Sequence, residues 1–210
     1  MKTYKKASRI CVLDTETTDK YWNTSAPIQI AAMIIDERGD IIDGFNERIK
    51  TTHVIADTAS AVHGIYAKDL VNCRGERDVL EDFCSWMLGN EVDLMLTYNG
   101  DTFDRPLLNC RCQKLGINFD YFDKDKFPGE DAKVDVFAAR KLNLFNLKDL
   151  GRKWKLTLVA EKLNFSTDNA HDALADCRML RDVWMTLDPM LHPENWEDSE
   201  DSDDNSLLPW

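Results

Sequence analysis

Acidic side chains and one histidine stand at spacings that suit catalysis in three short stretches of the sequence. In the first, Asp14 and Glu16 are two residues apart in the strand-like segment 9–16, so both side chains project from one face at the strand's end. Paired carboxylates suit a hard divalent cation such as Mg²⁺, and carboxylates beside a buried strand need such a compensating charge. The spacing alone is weak evidence, because Asp198 and Glu200 repeat it in an acidic, polar stretch.

The other two stretches contain Asp104, and His171 with Asp176. Asp104 follows a second apolar segment, 92–98, at the start of a predicted helix, where a carboxylate is favoured by the helix dipole. An ordinary helix-start acid is an equal alternative. His171 precedes Asp176 by five residues at the start of the last predicted helix. An imidazole can accept a proton near neutral pH, although a lone histidine at a helix start is more often structural.

Taken together and in this order, the three motifs resemble the DEDDh branch of the DnaQ-like 3′-to-5′ exonucleases. The resemblance covers residues 8–185. Supporting segments are DTETT at 14–18, Gln29-Ile30, Val62-His63-Gly64-Ile65, 99–104 and Val134-Asp135. The resemblance implies four metal-binding acids and a histidine general base, namely Asp14, Glu16, Asp104 and Asp176 with His171.

The same resemblance implies a cofactor and a substrate. Two Mg²⁺ ions are expected, with Mn²⁺ able to substitute, and the substrate is a nucleic acid with a free 3′ end, DNA being favoured over RNA. The product is a nucleoside 5′-monophosphate. Substrate contacts are expected from residues around the first two motifs, namely Thr15, Thr17, Thr18, Tyr21, Trp22, Asn99 and Phe103.

One departure from the family's pattern concerns the terminal nucleotide. The first motif commonly continues Thr-Gly and then an apolar residue, whereas Thr17 is followed here by Thr18 and Asp19. Tyr21 or Trp22 could instead stack on the terminal base, a contact worth about 1 to 3 kcal/mol. Local packing of these two aromatic side chains is the alternative.

Three other functions remain open from the sequence. An exoribonuclease of the same family would differ in accepting or requiring the terminal 2′-hydroxyl. A catalytically idle module that binds nucleic acid or a partner is the second alternative, although all five chemical positions hold suitable residue types. The third is a metal phosphohydrolase that acts on free nucleotides.

The elements that position these residues predict an α/β fold. Strands are predicted near 8–15, 27–37 and 40–49, the last two joined by a turn at 37–40, and a further strand at 92–98. The resemblance implies a ribonuclease H-like domain over residues 1–190, with a central mixed five-stranded sheet flanked by helices. Helices are predicted at 57–63, 76–88, 102–115, 134–142, 147–154 and 169–187, the last capped near Thr167 or Asp168 and ended by Pro189.

Composition favours a cytoplasmic protein without membrane association. No apolar run approaches the roughly 20 residues of a membrane span, the N-terminus lacks a signal-peptide pattern, and the six cysteines form no Cys-x-x-Cys pair. The net charge is −12, but residues 194–210 hold seven acids and no Lys or Arg, which leaves the rest of the chain less acidic.

The last residues form a compositionally distinct tail. Residues 191–210 are predicted to lack stable structure, because acidic, polar sequence cannot form a core. The tail ends in Leu207-Leu208-Pro209-Trp210, which looks like the acidic tails of bacterial single-stranded DNA-binding proteins. Docking of a protein partner through Trp210 is therefore an alternative to a purely solubilising role.

Overall fold

The computed structural model describes residues 2–151, 154–168 and 170–198. The strands are β1 Lys2–Tyr4, β2 Ile10–Thr17, β3 Pro27–Ile35, β4 Ile41–Lys50, β5 Arg74–Gly75, β6 Leu94–Thr97, β7 Gly129–Asp131 and β8 Trp196–Asp198. The α-helices are α1 Asp57–His63, α2 Glu76–Gly89, α3 Asp104–Leu115, α4 Ala132–Lys141, α5 Leu156–Lys162 and α6 Ala173–Leu191. Short 3-10 segments lie at Ala67–Leu70, Gly100–Thr102, Leu144–Leu150 and Pro193–Asn195.

A mixed six-stranded sheet forms the centre of the fold, in the order β5-β4-β3-β2-β6-β7. β2, β3 and β4 are antiparallel neighbours, whereas β6 is parallel to β2 and β7 is parallel to β6. The α/β fold and the antiparallel strands predicted from the sequence are thus confirmed. The sheet has one strand more than the predicted five because the two-residue β5 pairs with the end of β4.

Alternation along β2 divides the core into two layers. Cys11 and Leu13 pack with α2 and α3 on one face of the sheet, whereas Ile10 and Val12 pack with α6 on the other. Because side chains alternate along a strand, Asp14 and Glu16 continue the α6 face. Thr15 continues the α3 face. The strand therefore directs its two acids and its intervening threonine toward different helices.

The last helix differs from its prediction at both ends. α6 begins at Ala173 rather than near 169, and its cap is Asp172, whose Oδ1 accepts hydrogen bonds from the N–H groups of Leu174 and Ala175 at 3.2 and 3.4 Å. This corrects the cap predicted at Thr167 or Asp168. The helix also continues through Pro189 to Leu191. A proline lacks only its own N–H donor, so the last turn can still form around it.

Two short strands close the fold near the chain ends. β1 and β8 pair antiparallel, with Lys2 opposite Asp198. Trp196 is 5% exposed and packs against Tyr4 and Trp184, with ring centroids 5.1 and 5.3 Å apart. The described secondary structure includes β8 as far as Asp198, and the division into a domain over residues 1–190 and a tail over 191–210 stays a prediction. Residues 199–210, including Trp210, lie outside the described residues.

Membrane insertion finds no support in the helices. Within the described ranges, none of them combines the length and the apolar character that a bilayer span requires.

Candidate active site

Three carboxylates meet at the C-terminal end of β2. Asp14 and Glu16 come from the strand, and Asp176 comes from the first turn of α6, which packs on the same face. One oxygen of each lies within 4.8 Å of the others. Packing holds α6 against the strand at this point. The thiol of Cys177 lies 3.3 Å from the carbonyl of Ala31, and Ala31 pairs with Asp14 across the sheet.

Asp104 approaches this group from the opposite layer. It is the first residue of α3 and is 7% exposed. The hydroxyl of Thr15 donates a hydrogen bond to its Oδ1, as expected for a threonine that faces α3. Its negative charge contributes to raising the pKa of Asp14. The structure thus brings all four predicted acids to one end of the sheet, although Asp104 is not part of the three-membered group.

Burial makes ionisation of these acids costly. It is the main cause of the raised pKa of Asp14, to which the charges of Asp104 and Glu16 add. It is also the main cause of the raised pKa of Asp176, where the hydrogen bond from His171 opposes it. The pKa of Glu16 rises to about 8, first through burial and then through the charge of Asp176. The pKa of Asp104 rises to about 6 through burial, opposed by the hydrogen bond from Thr15. A divalent cation would remove this cost, because it favours the ionised carboxylates.

His171 lies just before α6 in the left-handed backbone region, with φ of 72°. Its N–H donates to Oδ1 of Asp176 at 3.3 Å. The residue is partly accessible, and its charge interaction with Asp176 affects the pKa of that acid. The predicted histidine therefore lies beside the carboxylate group, in the turn that precedes the helix rather than within it.

The donor set suits a metal centre built from oxygen ligands. Carboxylate oxygens in close mutual reach are the ligands that Mg²⁺ and Mn²⁺ prefer. A second group that could hold an ion, within the part of the chain described, consists of Asp135, Asp188 and His192. Two of its members already have partners, since the indole N–H of Trp196 donates to Asp188 at 2.5 Å and His192 lies 3.4 Å from Asp135. The first group is the better candidate.

Some of the predicted substrate residues have exposed side chains, whereas others form hydrogen bonds within the protein. Tyr21 and Trp22 are 57% and 39% exposed, so their rings are open to a ligand. The Thr17 hydroxyl donates to the carbonyl of Asp19 at 2.8 Å. Thr18 is 2% exposed and its hydroxyl oxygen accepts from the N–H of Ala26. Thr18 thus stabilises the loop through its buried hydroxyl, and its predicted contact with the substrate stays a prediction.

Asn99 and Phe103 flank the short 3-10 turn that leads into Asp104. Asn99 has a φ of 67°, and its N–H donates to Oδ1 of Asp131 at 2.7 Å. Its side-chain oxygen accepts from Nζ of Lys133 at 2.7 Å. Phe103 is partly exposed directly before the helix. Both residues lie in the loop beside the acids, and Asn99 is in addition tied to the start of α4.

A cavity next to Glu16 is lined in part by residues that the sequence analysis did not assign to the site. It measures about 290 Å³. His63, at the end of α1, accepts the N–H of Ile65 on Nδ1 at 3.0 Å, and its buried Nε2 has no hydrogen-bond partner among the residues described. The resemblance marked the His63 segment but gave no chemical role to it. The cavity is lined by Glu16, Thr17, Asp19, Lys20, Thr58, Ala59, Val62 and His63.

Trp22 borders a second cavity, of about 340 Å³, on the other side of the loop. Arg105 and Phe122 also line it, together with Asp101 and Asp123. Tyr21 is not among its lining residues. Of the two aromatic candidates, Trp22 is therefore the one that borders a hollow able to accept a flat ring.

Sequence comparisons place this arrangement among nucleases. The RNase T model, described as an exonuclease, matches residues 11–183. The PolC-type DNA polymerase III of Thermotoga petrophila is 28% identical over 181 residues, covering 86% of this chain and 12% of the relative. The PolC-type enzyme of Oceanobacillus iheyensis is 31% identical over 166 residues, covering 79% of this chain and 10% of the relative. The chain thus spans about a tenth of the length of these relatives.

Solved structures share the fold at low sequence identity. A zinc-bound complex of E. coli exonuclease I with single-stranded DNA has a TM-score of 0.72 and 20% identity, covering 89% of this chain and 41% of that one. The nuclease domain of 3′hExo, a DEDDh family member bound to rAMP, has a TM-score of 0.66 and 18% identity, covering 91% and 97%. A complex of ExoI with SSB-Ct has a TM-score of 0.66, 18% identity and coverage of 88% and 42%.

Proposed function

The chain belongs to the RNase T exonuclease family, and from this we propose that it removes nucleoside 5′-monophosphates stepwise from the 3′ end of DNA. The observation that carries the proposal is the meeting of Asp14, Glu16 and Asp176 within 4.8 Å, with carboxylate oxygens from a strand and a helix. Asp104 and His171 lie directly beside them. Burying several carboxylates this close together costs free energy unless a bound cation or bound protons compensate their charge.

Asp14, Glu16, Asp104 and Asp176 would hold two Mg²⁺ ions, with Mn²⁺ as a substitute. Such ions supply Lewis acidity at the scissile phosphate and lower the pKa of the attacking water. His171 accepts the proton of that water, since imidazole exchanges protons near neutral pH whereas an ion-bound carboxylate is a weaker base. The terminal nucleoside would enter the cavity beside Glu16, which Ala59, Val62 and Lys20 also line.

DNA is the favoured substrate because the relatives at 28 to 31% identity are DNA polymerases. An exoribonuclease remains the alternative, supported by the fold shared with a domain bound to rAMP. A catalytically idle binding module is a weaker alternative, because each of the five chemical positions holds the residue type that hydrolysis needs.

Degradation of end-labelled oligonucleotides tests the proposal. Purified protein is incubated with matched DNA and RNA strands, single and double, with Mg²⁺, Mn²⁺ or EDTA. A ladder that shortens from the 3′ end, release of mononucleotides and inhibition by EDTA are expected. Asp14→Asn should be inactive. Absence of hydrolysis on every strand, or cleavage at internal positions, contradicts the proposal, and hydrolysis of free nucleotides alone would indicate a phosphohydrolase.

We also propose a cytoplasmic location and a protein partner, both predicted from the sequence. Cytoplasmic location is testable by fractionation of the native host. Docking of a protein partner through Trp210 is testable with a peptide of the last ten residues, which should compete with the tail of a single-stranded DNA-binding protein for a shared partner. Lack of competition at saturating peptide removes the docking proposal.

A further inference from the structure

A basic segment stands out in this acidic chain. Residues 133–155 contain seven Lys or Arg and two Asp, whereas acids outnumber bases by 38 to 26 over the whole chain. A local reversal of charge is the electrostatic feature that polyanion binding requires. The described part of this segment comprises α4, the 3-10 turns at Leu144–Leu150, and Trp154 with Lys155.

Within that segment, basic and aromatic side chains share one surface. Lys133, Phe137, Arg140 and Lys141 recur along α4 at the spacing of a single helix face. Trp154 packs on this face, its ring stacked on Phe137 with centroids 5.0 Å apart and planes at 24°. Lys155 lines a shallow hollow of about 470 Å³ with Lys133, Phe137 and Trp154. The basic-aromatic surface is defined as Lys133, Phe137, Arg140, Lys141, Trp154 and Lys155.

Cation–π contacts hold two of the charged side chains of this surface in place. The guanidinium of Arg140 lies 5.0 Å from the ring centroid of Trp154, and Nζ of Lys141 lies 4.3 Å from that of Phe137. In the described ranges no carboxylate lies within 4.0 Å of the charged groups of the basic-aromatic surface. Lys133 interacts with the charge of Asp131 at longer range, whereas Arg140, Lys141 and Lys155 remain available to pair with an external anion.

The surface is joined directly to the loop that leads into Asp104. Nζ of Lys133 donates to Oδ1 of Asn99 at 2.7 Å. Asp131 also connects the two, because its Oδ1 accepts the N–H groups of both Asn99 and Lys133. Further along, the Tyr98 hydroxyl donates to the carbonyl of Trp154 at 2.6 Å. A strand whose end lies at the acids would therefore reach this surface next.

We propose that the basic-aromatic surface binds the single-stranded segment of nucleic acid that precedes the 3′-terminal nucleotide. The proposal rests on the proposed function, which places the 3′ end at the acids. Lys133, Lys141 and Lys155 pair with backbone phosphates, and the stacked rings of Phe137 and Trp154 hold Lys141 and Arg140 in place for this contact. Such contacts tolerate any base sequence, as sequence-independent degradation requires.

Binding measured apart from hydrolysis tests the proposal. Fluorescence anisotropy of a labelled 20-nucleotide single strand, as DNA and as RNA, is recorded with Ca²⁺ in place of Mg²⁺ over a salt series. Each phosphate contact contributes about 0.7 to the slope of log K against log salt for single strands. The double substitution Lys141→Gln/Lys155→Gln should therefore reduce the slope by about 1.4. Lys50→Gln/Lys114→Gln is the control, since both lysines are exposed, lie outside this surface and change the net charge equally.

A dinucleotide and a duplex complete the experiment. A dinucleotide is too short to reach the surface, so the Lys141/Lys155 variant should lose kcat/KM on the 20-mer several times more than on the dinucleotide. The proposal is overturned if the salt slope of the variant is unchanged, or if kcat/KM falls equally on the 20-mer and the dinucleotide. Tighter binding of a blunt duplex than of the single strand also overturns it. So does displacement of the strand by an acidic peptide of matched charge as effectively as by a competing strand. Binding that depends on this surface without any hydrolysis would support the surface and refute the proposed function instead.

Discussion

His171 lies outside α6, and its side chain is attached to a turn in the left-handed region rather than to regular helix. Replacement by alanine removes the proposed proton acceptor but no buried side chain. A positioned general base contributes about 10² to 10⁴ in rate, so His171→Ala should lower kcat by a factor in that range and leave the melting temperature nearly unchanged.

The measurement for His171 is kcat on a 3′-labelled strand with saturating Mg²⁺. His53→Ala serves as the matched control, because His53 lies in an exposed turn, and it should retain full activity. If His171→Ala hydrolyses the strand as fast as wild type, the assignment of the base is wrong.

Thr15 supports Asp104 through a hydrogen bond from its hydroxyl, which lowers the pKa of that acid against the effect of burial. Thr15→Val keeps the volume and removes the donor, so the pKa of Asp104 should rise above its present value of about 6. Loss of such supporting hydrogen bonds typically weakens metal affinity by about 10- to 100-fold. Activity measured against Mg²⁺ concentration at pH 6.5 should show that shift.

Thr15→Ser, which retains the hydroxyl, is the control for this change and should behave like wild type. Equal Mg²⁺ requirements for the valine and serine variants would show that the hydrogen bond does not influence the ions.

The stability of the protein without metal should fall as pH rises. Burial raises the pKa of Glu16 to about 8 and that of Asp104 to about 6, so between about pH 4 and 8 the folded state holds more protons than the unfolded state. Unfolding free energy then decreases with increasing pH. Mg²⁺ at 100 times its Kd should add about 2.7 kcal/mol, or roughly 5 to 11 °C, and should stabilise more at pH 8 than at pH 5.

Thermal unfolding at several pH values, with EDTA or Mg²⁺, measures both trends. Asp14→Asn should flatten the decline with pH and reduce the gain from Mg²⁺. A gain from Mg²⁺ that is equal at all pH values and survives in Asp14→Asn would place the ions elsewhere.

At the level of elements, Asp135 joins α4 to the end of α6. It is 6% exposed, and its pKa rises to about 7 through burial first and the charge of Asp188 second, opposed by His192. A raised carboxyl pKa means that its contribution to stability is lost as pH rises from about 4 to 7. Asp135→Asn should therefore raise the melting temperature at pH 8 by a few degrees, at about 2 to 4 °C per kcal/mol.

Comparison of wild type and Asp135→Asn at pH 5 and pH 8 checks this expectation. The exposed Asp149→Asn is the control and should change neither value. A destabilised Asp135→Asn protein at pH 8 would indicate that the contact with His192 outweighs the cost of burial.

Elements with strong local patterns could be predicted from the sequence, whereas those formed by long-range pairing could not. β2 begins with a run of four apolar residues, β3 is apolar except for Gln29, and α2 has an apolar stripe with a glycine at its end. By contrast, β7 contains three polar or small residues and exists because it pairs with β6. α5 at Leu156–Lys162 also escaped prediction, because its seven residues span too few turns to show a clear period.

The candidate site was predictable to the extent that its residues lie on regular elements. Asp14, Glu16 and Asp104 follow from strand ends and a helix start, and alternation along β2 accounts for the different directions of Asp14 and Thr15. The cavity beside Glu16 was not predictable from spacing, since Thr58 and Val62 reach it only through the docking of α1. The hydrogen bond from the N–H of Ala26 to the Thr18 hydroxyl was likewise not predictable, because it depends on the path of the loop.

For the whole molecule, the cluster of Tyr4, Trp184 and Trp196 connects β1 and β8 to α6. Trp196 is 5% exposed and its indole N–H donates to Asp188. Trp196→Ala should cost about 3 to 5 kcal/mol of unfolding free energy, measured by urea unfolding, while activity at low temperature persists because the acids lie at the other end of β2.

Trp196→Phe retains the ring and loses only the donor, so its cost should be markedly smaller than that of alanine. Equal stability of wild type and the alanine variant would show that β8 contributes nothing to the fold.

The pairing of β1 with β8 also has a consequence for the order of folding. Lys2 and Asp198 lie opposite each other, although almost the whole described sequence separates them. Contacts between residues so far apart in sequence carry a loop-closure cost before they contribute any stability. We therefore expect this small sheet to form late in folding, after the central sheet has brought its two strands together.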